Sequence, residues 1–276
     1  MQEKDKKQNN PNAADKFIEY IDVINYQLRE PVTNIFASLP ILADNINKAE
    51  TEKAMENLQA VYKRTYSVMK SVNNLTVVSK LKSGYEYSKE VIDFSQLVNS
   101  VFQSSKMVLP SYCAIESSVE TGCVIKGSSS LMATALFNIL LNSLDYKQED
   151  VQVSVSLKNE SNRCVMTYRD NSIGIKPEVV GDVFQPFYSV SPYNDGDVTN
   201  KLGLGLYIAK QAVFQAGGTI LMQSEFGKGV NIIISIPKCS DDSDVMLKSK
   251  SGDFMLNKYS EMFVQLCEYC DLPDLV

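Results

Sequence analysis

The chain has 276 residues, contains no histidine and carries a net charge of −6. This charge excludes a general nucleic-acid binder, because contacts with phosphate need a basic surface. The length predicts two modest domains, and a hydrophobic content of 44% is enough to give them buried cores. No apolar stretch approaches the ~20 residues that cross a bilayer, and residues 1–12 lack the apolar centre of a secretory signal. We therefore expect a cytoplasmic protein without membrane insertion.

Two long helical patterns follow a polar tail, residues 1–14, which we expect to be disordered. In both patterns apolar residues recur at alternating steps of three and four. The two sets are Phe17, Ile21, Ile24, Leu28, Ile35 and Leu42, then Ala54, Leu58, Val61, Thr65, Val68, Val72 and Leu75. This spacing is typical of heptad seams, and it predicts an antiparallel helical hairpin over residues 15–83.

Each predicted helix also carries apolar residues beside its seam, which a lone hairpin would leave exposed. They are Phe36, Leu39, Met55, Tyr62 and Met69. A four-helix bundle formed by two chains would cover them, so we expect a homodimer in which the hairpin is the dimerisation stem. The alternative is that the hairpin docks on the second domain of its own chain.

Short helical and strand patterns alternate through residues 84–238 and predict an α/β sandwich, which makes the whole chain α+β. The predicted helices are 94–107, 129–146 and 204–216, and the strands are 114–119, 123–126, 151–157, 163–169, 219–224 and 230–236. Residues 239–276 then predict a polar linker and an amphipathic helix over 253–272. Its apolar face either packs on this chain, which is favoured, or docks in a groove of a partner.

Two motifs in the second domain place polar side chains where a nucleotide can be held. Asn138 and Asn142 lie one helical turn apart, so both amides share a face where an amide oxygen can bind Mg²⁺. Asp170 follows a strand and precedes a bend at Gly174, where a carboxylate can accept the amino group of adenine. Taken singly, the first could be an ordinary pair of helical asparagines and the second an ordinary turn.

Two further motifs follow. Residues 184–187, Phe-Gln-Pro-Phe, form an apolar anchor before a polar loop. Gly203 and Gly205 stand at the start of a helix, where backbone amides can approach phosphate and the helix terminus favours negative charge.

The order and spacing of these motifs, from Asn138 to Pro237, resemble the catalytic ATP-binding domain of histidine kinases, in the GHKL superfamily shared with DNA gyrase, the Hsp90 chaperone and MutL. With the hairpin, the resemblance covers residues 15–238. It implies a mixed sheet layered with helices, and ATP or ADP bound with Mg²⁺ under a lid. It also implies a dimeric stem that engages a response regulator receiver domain or another histidine kinase.

The same resemblance assigns roles to individual residues. It places Asn138 and Asn142 at the magnesium and phosphates, with Asn142 as the metal ligand. It places Asp170 and Gly174 at adenine, and Gly203 and Gly205 at the phosphates.

The stem departs from the family at the phosphoacceptor. Residues 26–33, Tyr-Gln-Leu-Arg-Glu-Pro-Val-Thr, resemble the box His-Glu-Leu-Arg-Thr-Pro-Leu-Thr. Tyr26 thus stands at the acceptor histidine, Gln27 at the neighbouring acid and Glu30 at the residue that orients water. Transfer of phosphate to a histidine within these residues is impossible. Tyr26 would need a base to act as a nucleophile, because a phenol has a pKa of ~10, and the nearby candidate is Glu30.

The nucleotide site departs from the family as well. Ser172 replaces the first glycine of the adenine motif, and Lys201 replaces the first glycine of the later glycine motif. Asp145 and Ser189 stand where many members have a lysine and an arginine. The loss of two cations and the gain of an anion predict weaker nucleotide binding and very slow hydrolysis, with Lys201 as a partial compensation.

Three functions are compatible with this pattern. The first is a histidine-kinase-like protein of two-component signalling or phosphorelay, a pseudokinase that acts by binding a response regulator or a partner kinase. The second is an active ATP-dependent kinase that phosphorylates Tyr26 or, in trans, a histidine of a partner. The third is a dimeric scaffold without nucleotide. The first is favoured because the bundle seam persists beside an altered acceptor.

Overall fold

The computed structural model describes residues 13–109, 111–148, 150–189, 201–239 and 260–269. Two long helices come first, α1 (Ala13–Asn47) and α2 (Thr51–Lys82), and they pack on each other as a hairpin. Helix α1 is continuous through Pro31 and Pro40. Most of the tail predicted for residues 1–14 lies outside the described residues, and its last two positions already belong to α1.

The apolar side chains beside the predicted seams have two different environments. Phe36, Leu39 and Met55 are exposed. Tyr62 and Met69, in contrast, pack against the core of the second domain. The hairpin therefore covers part of its apolar surface within its own chain and leaves the rest to solvent.

Seven strands follow the hairpin. They are β1 (Glu90–Asp93), β2 (Cys113–Val119), β3 (Val124–Gly127), β4 (Val151–Asn159), β5 (Arg163–Asp170), β6 (Thr219–Glu225) and β7 (Gly229–Pro237). Strands β2 and β4–β7 form a sheet in the order β2-β4-β5-β7-β6, with the β2–β4 pair parallel and the other pairs antiparallel. Strands β1 and β3 form a separate antiparallel pair. Strand β1 is the one that the sequence analysis did not predict.

Three helices of the second domain pack on this sheet and on one another, namely α3 (Phe94–Val108), α4 (Ser129–Asp145) and α5 (Gly205–Gln215). The burial of β4 alternates along the strand, as expected where one face lies under helices. Asp93 and Ser128 cap α3 and α4, because each side chain accepts a hydrogen bond from a backbone amide of the first turn. Helix α4 is buried over nearly its whole length.

A short C-terminal segment, residues 260–269, packs between the hairpin and the second domain. It consists of helix α6 (Glu261–Leu266) and a 3-10 turn (Cys267–Tyr269), and it contacts α2, α3 and α4. Val264, Leu266 and Cys267 are buried, and the ring of Phe263 lies 5.1 Å from that of Tyr66. The helix predicted over 253–272 is described only in this part, and here its apolar face packs on the same chain.

The predicted fold class is confirmed: a helical hairpin precedes a mixed sheet layered with helices. Within the described part of the chain, no helix has the length and apolar character needed to cross a membrane.

Replacing Leu266 by alanine should lower the free energy of unfolding by about 2–5 kcal/mol, because the side chain is fully buried and its removal leaves a cavity. Urea denaturation of the full chain measures the change. The matched control is Leu221→Ala, which truncates a leucine that is 63% exposed and should change stability by less than about 0.5 kcal/mol. Equal effects would contradict the packing of the C-terminal segment.

Candidate nucleotide-binding site

A cavity of about 550 Å³ lies between the helical hairpin and the second domain, within the ~300–1,000 Å³ typical of small-molecule sites. Nearly all of the predicted site residues line it. They are Gln27, Glu30, Asn138, Asn142, Asp170, Gly174, Lys201, Gly203 and Gly205. Tyr26 is the exception, because it does not line the cavity and is 52% exposed on α1.

The carboxylate of Asp170 is held in a fixed orientation by four donors. Its Oδ1 accepts hydrogen bonds from the backbone amides of Ser172 and Val230, both at 3.0 Å, and from Ser172 Oγ at 2.6 Å. Its Oδ2 accepts one from Ser143 Oγ at 2.5 Å. Since each carboxylate oxygen offers about two lone pairs, Oδ2 keeps the capacity to accept one more donor, such as an adenine amino group. Ser172 thus orients Asp170 from the position where the family has glycine.

Two hydroxyl groups in series, those of Tyr168 and Ser143, hold this carboxylate on its Oδ2 side. Ser143 donates its one proton to Asp170, so the contact of 2.6 Å between Ser143 Oγ and the Tyr168 hydroxyl must have Tyr168 as donor. Burial, and then the charge of Asp170, raises the pKa of Tyr168 well above its ordinary value, which keeps the phenol protonated. The carboxylate that is predicted to face adenine is therefore anchored in the domain core.

Two of the predicted glycines are required by close contacts within the protein. Gly174 and Gly203 both have positive φ, 69° and 62°. A Cβ at either position would lie 2.3 Å from a backbone oxygen, that of Glu225 or of Tyr188. Any side chain there would clash with backbone as well as strain it. These glycines shape the cavity wall whether or not a ligand approaches them.

The stem contacts the predicted phosphate side directly. Asn74 of α2 donates from Nδ2 to Asn138 Oδ1 at 3.5 Å, and Asn138 is almost fully buried. The Nδ2 of Asn138 has no hydrogen-bond partner among the described residues. It is a buried donor that lacks an acceptor, at the edge of the cavity.

Four charged residues form a cluster at the end of α4. Lys201 pairs with Asp145, and Lys70 pairs with Glu268 at 2.5 Å. Tyr269 also donates a hydrogen bond to Asp145. Burial lowers the pKa of Lys201 despite the opposing effect of Asp145. Burial alone would also lower the pKa of Lys70, but the carboxylates of Glu268 and Asp145 outweigh it and raise the pKa.

The loop after β5 is also attached to the stem. The ring of Phe187, the second phenylalanine of the predicted apolar anchor, stacks on Tyr20 of α1 with 4.3 Å between ring centroids. Phe187 has a positive φ of 63°. The next two residues, Tyr188 and Ser189, line the cavity.

Residues 127–240 match the protein family described as histidine kinase-, DNA gyrase B- and HSP90-like ATPase. This part of the chain is a histidine kinase-type ATPase domain. Together with the relatives below, this match supports a histidine kinase core of the GHKL superfamily for the hairpin and the domain, and the matched domain implies binding of ATP or ADP.

Relatives of the whole core are sensor kinases. The sensor protein kinase WalK of Staphylococcus aureus is 28% identical over 225 residues, which are 79% of this chain and 53% of that protein, or 36% of the longer WalK of strain JH9. The chain thus spans about a third to about half of the length of the curated relatives that it matches.

Solved structures show the same fold. The alignment with the histidine kinase AdeS of Acinetobacter baumannii has a TM-score of 0.57 at 18% identity, and it covers 77% of this chain and 97% of the AdeS chain. The alignment with the histidine kinase ThkA, which was solved in complex with the response regulator TrrA, has a TM-score of 0.54 at 17% identity. It covers 80% of this chain and 61% of the other chain.

A polar stripe of α2 also lines the cavity, although it was not among the residues predicted from the sequence. It consists of Lys63, Arg64, Ser67, Lys70, Ser71 and Asn74, which recur at helical spacing on one face. The spacing was visible in the sequence, but a polar stripe on a helix normally indicates a face in solvent. Glu268, another lining residue that was not predicted, lies nearly two hundred residues further along the chain than Lys70, with which it pairs.

The charges around the cavity nearly cancel. The lining holds five cations (Lys63, Arg64, Lys70, Lys176 and Lys201) and four carboxylates (Glu30, Asp145, Asp170 and Glu268). Among the described residues no group of three or more histidine, cysteine or acidic side chains is placed to hold a metal ion. Mg²⁺ at Asn142 would therefore take most of its ligands from the phosphates of the nucleotide and from water rather than from the protein, as is common for this ion.

Replacing Ser143 by alanine should destabilise the domain by about 1–3 kcal/mol, because Asp170 and the buried Tyr168 hydroxyl lose their shared partner. Ser154→Ala removes a serine hydroxyl from an exposed position of β4 and should change the free energy of unfolding by less than about 0.5 kcal/mol. Thermal and urea unfolding of both variants measure the difference. Indistinguishable variants would show that the hydroxyl groups of Tyr168 and Ser143 do not hold Asp170.

Proposed function

We propose that this chain is a histidine-kinase-like protein of two-component signalling that acts by binding, with an adenine nucleotide in its cavity. It is a pseudokinase: Tyr26 stands at the acceptor position and none of the 276 residues is a histidine. The observation that carries the proposal is the contrast between this altered acceptor and a cavity that gathers the nucleotide-site residues of a histidine kinase-type ATPase domain.

The chemistry of the cavity fits an adenine nucleotide. Asp170 Oδ2 retains the capacity to accept a hydrogen bond, and two buried donors, Asn138 Nδ2 and Arg64 Nε, have no hydrogen-bond partner among the described residues. Phosphate oxygens would supply the missing acceptors. The nearly balanced charge of the lining supports weaker triphosphate binding than in a site with a surplus of cations. Asn142 would be the side chain that holds Mg²⁺.

The stem is the proposed surface for partners and for a second copy. Its exposed large apolar side chains are Ile21, Tyr26, Val32, Phe36, Leu39, Ile41, Ile46, Met55 and Val72. So many exposed apolar side chains on one hairpin indicate an interaction surface, and a four-helix bundle of two chains would cover part of this surface. The proposed partner is a receiver domain or another histidine kinase, because ThkA, which shares this fold, was solved with a response regulator. We place the protein in the cytoplasm, where such partners reside.

The active-kinase alternative has one observation in its favour and one against it. Gln27 and Glu30, which follow Tyr26 by one and four residues on α1, line the same cavity as Asp170. The side chain of Tyr26 itself does not, so its phosphorylation would require a different arrangement of stem and domain.

Calorimetry with ATP and ADP, with and without Mg²⁺, tests the nucleotide site. We expect both to bind, and Asp170→Asn to weaken both by at least about tenfold, because hydrogen bonds to charged groups contribute about 1.5–3 kcal/mol. Asp150→Asn, an exposed site with the same change of chemistry, is the control, and circular dichroism checks that both variants fold. Absence of any binding heat would favour the nucleotide-free scaffold.

Titration with purified receiver domains and histidine kinase stems of the source organism tests the binding role. At least one should bind, and Tyr26→Ala should weaken it while Tyr85→Ala should not, since these tyrosines are 52% and 50% exposed but only the first lies on the stem. If no candidate binds in either nucleotide state, the signalling proposal is wrong.

Incubation with labelled ATP in the same panel separates the enzyme alternative from the proposal. The pseudokinase leaves the chain unlabelled. A label that Tyr26→Phe removes, or a label on a partner histidine that Asn142→Ala removes, would instead establish a kinase.

A further inference from the structure

One face of the stem helix α2 forms a wall of the nucleotide cavity. Along this face Arg64, Lys70 and Asn74 recur at helical spacing, with serines between them, and all line the cavity. Arg64 is half-buried, and its Nε atom is buried without a hydrogen-bond partner among the described residues. A buried N–H donor without an acceptor is costly unless a ligand supplies one.

The contacts between α2 and α4 show which end of the cavity this face borders. Asn74 bonds Asn138, and Lys70 lies one helical turn before Asn74. On α4, Asn142 lies one turn after Asn138, and Asp145 follows in the next turn. Asp145 acts on the pKa of Lys70 by its charge, so the two helices run antiparallel here and Lys70 lies level with Asn142 and Asp145. Lys70 therefore lies beside Asn142, the side chain that the proposed function assigns to Mg²⁺ and the phosphates, in the part of α4 where Ser143 bonds Asp170.

A carboxylate of the C-terminal segment forms an ion pair with Lys70. Glu268 Oε2 lies 2.5 Å from Lys70 Nζ, and both side chains are mostly buried, with 29% and 17% of their surfaces exposed. The segment is anchored beside this pair by the buried side chains of Leu266 and Cys267, and by the bond from Tyr269 to Asp145. Glu268 itself lines the cavity.

We propose that Lys70 and Arg64 of the stem bind the phosphates of the nucleotide, and that Glu268 is a built-in competitor that holds Lys70 in their place. The proposal rests on nucleotide binding in this cavity and adds its regulation. A carboxylate and a phosphate are both acceptors for an ammonium group, and one Lys70 Nζ cannot be close to both without bringing two anions together. Nucleotide binding and docking of the C-terminal segment therefore oppose each other, and by linkage each weakens the other by the same factor.

The consequence reaches beyond the cavity. Release of the segment would uncover the surfaces of α2 and α4 that Phe263, Val264 and Leu266 now cover. The stem is the proposed partner surface, so the nucleotide would change which part of it is available. An ordinary structural ion pair between Lys70 and Glu268 would have no such dependence on phosphate.

Calorimetry with ATP and with adenosine, on the full chain, tests the competition. Glu268→Gln should raise the affinity for ATP about fivefold or more, the usual lower size of such couplings, and leave that for adenosine unchanged. Lys70→Gln should lower the affinity for ATP alone, and Lys70→Arg should restore much of it. In the double variant Glu268→Gln should no longer raise the affinity for ATP, because the group for which it competes is gone. Glu116→Gln, an exposed glutamate of β2, controls for net charge.

A second measurement follows the segment itself. Cys267 is fully buried in the docked segment, and alkylation resolved by peptide mass spectrometry should show it protected without nucleotide and reactive with saturating ATP. Adenosine should leave it protected. Cys164 in the core of β5 is the internal reference, because burial and the neighbouring Cys123 raise its pKa to about 12.

Three results would overturn the proposal while nucleotide binding itself stands: equal changes for ATP and adenosine, additive effects of the two substitutions, or a Cys267 that stays protected at saturating ATP. If neither the parent chain nor Glu268→Gln binds any adenine compound, this inference and the nucleotide site fall together. If only Glu268→Gln binds ATP, the competition is supported in its strongest form.

Discussion

The structure depends on one constraint, which is that a helix buried on nearly all sides carries polar side chains that must be satisfied. Helix α4 lies between the sheet, α5, the stem and the C-terminal segment, and it brings Asn138, Ser143 and Asp145 with it. Buried polar groups without partners destabilise a fold, so each of these side chains recruits a partner from a different element. Ser143 bonds Asp170 at the end of β5, Asn138 bonds Asn74 of the stem, and Asp145 bonds Tyr269 and Lys201. The cavity lies among the elements that these hydrogen bonds and this ion pair connect.

This arrangement changes the meaning of the departures from the family pattern. Asp145 and Lys201, taken separately, are a lost cation and a lost glycine. In the fold they are the two halves of one ion pair, and Ser172, at another former glycine, donates to Asp170. The altered residues thus compensate one another within the protein. Such compensation leaves neither Asp145 nor Lys201 without a partner when no ligand is bound, and it leaves fewer charges available to bind a ligand.

Local patterns in the sequence predict the parts of the fold that local physics determines. Strand β4 lies close to its predicted position because burial on one face imposes the alternation, and α4, which is buried on nearly all sides, also lies close to its predicted bounds. The four motifs of the second domain could also be recognised, and the structure brings residues of three of them to one cavity, whereas residues 184–187 do not line it. The face of α2 that borders this cavity could not be predicted. A heptad seam shows which face of α2 packs on α1 but not which face meets another domain. The pairing of Lys70 with Glu268 spans 198 residues of chain, and no local pattern encodes it.

The stacking of Phe187 on Tyr20 joins the stem to the wall of the cavity. A phenylalanine at positive φ carries a backbone cost of about 1–3 kcal/mol, which persists only where surrounding contacts hold it. Here one such contact is the ring of Tyr20 on α1, some six residues before the altered acceptor, and Phe187 also packs against the core. If α1 turned about its axis by a single residue, roughly 100°, Tyr20 would swing away and Phe187 could relax to an ordinary conformation. Tyr188 and Ser189 would move with it, so a mechanical twist of the stem would reshape the pocket directly, with no change in any charge.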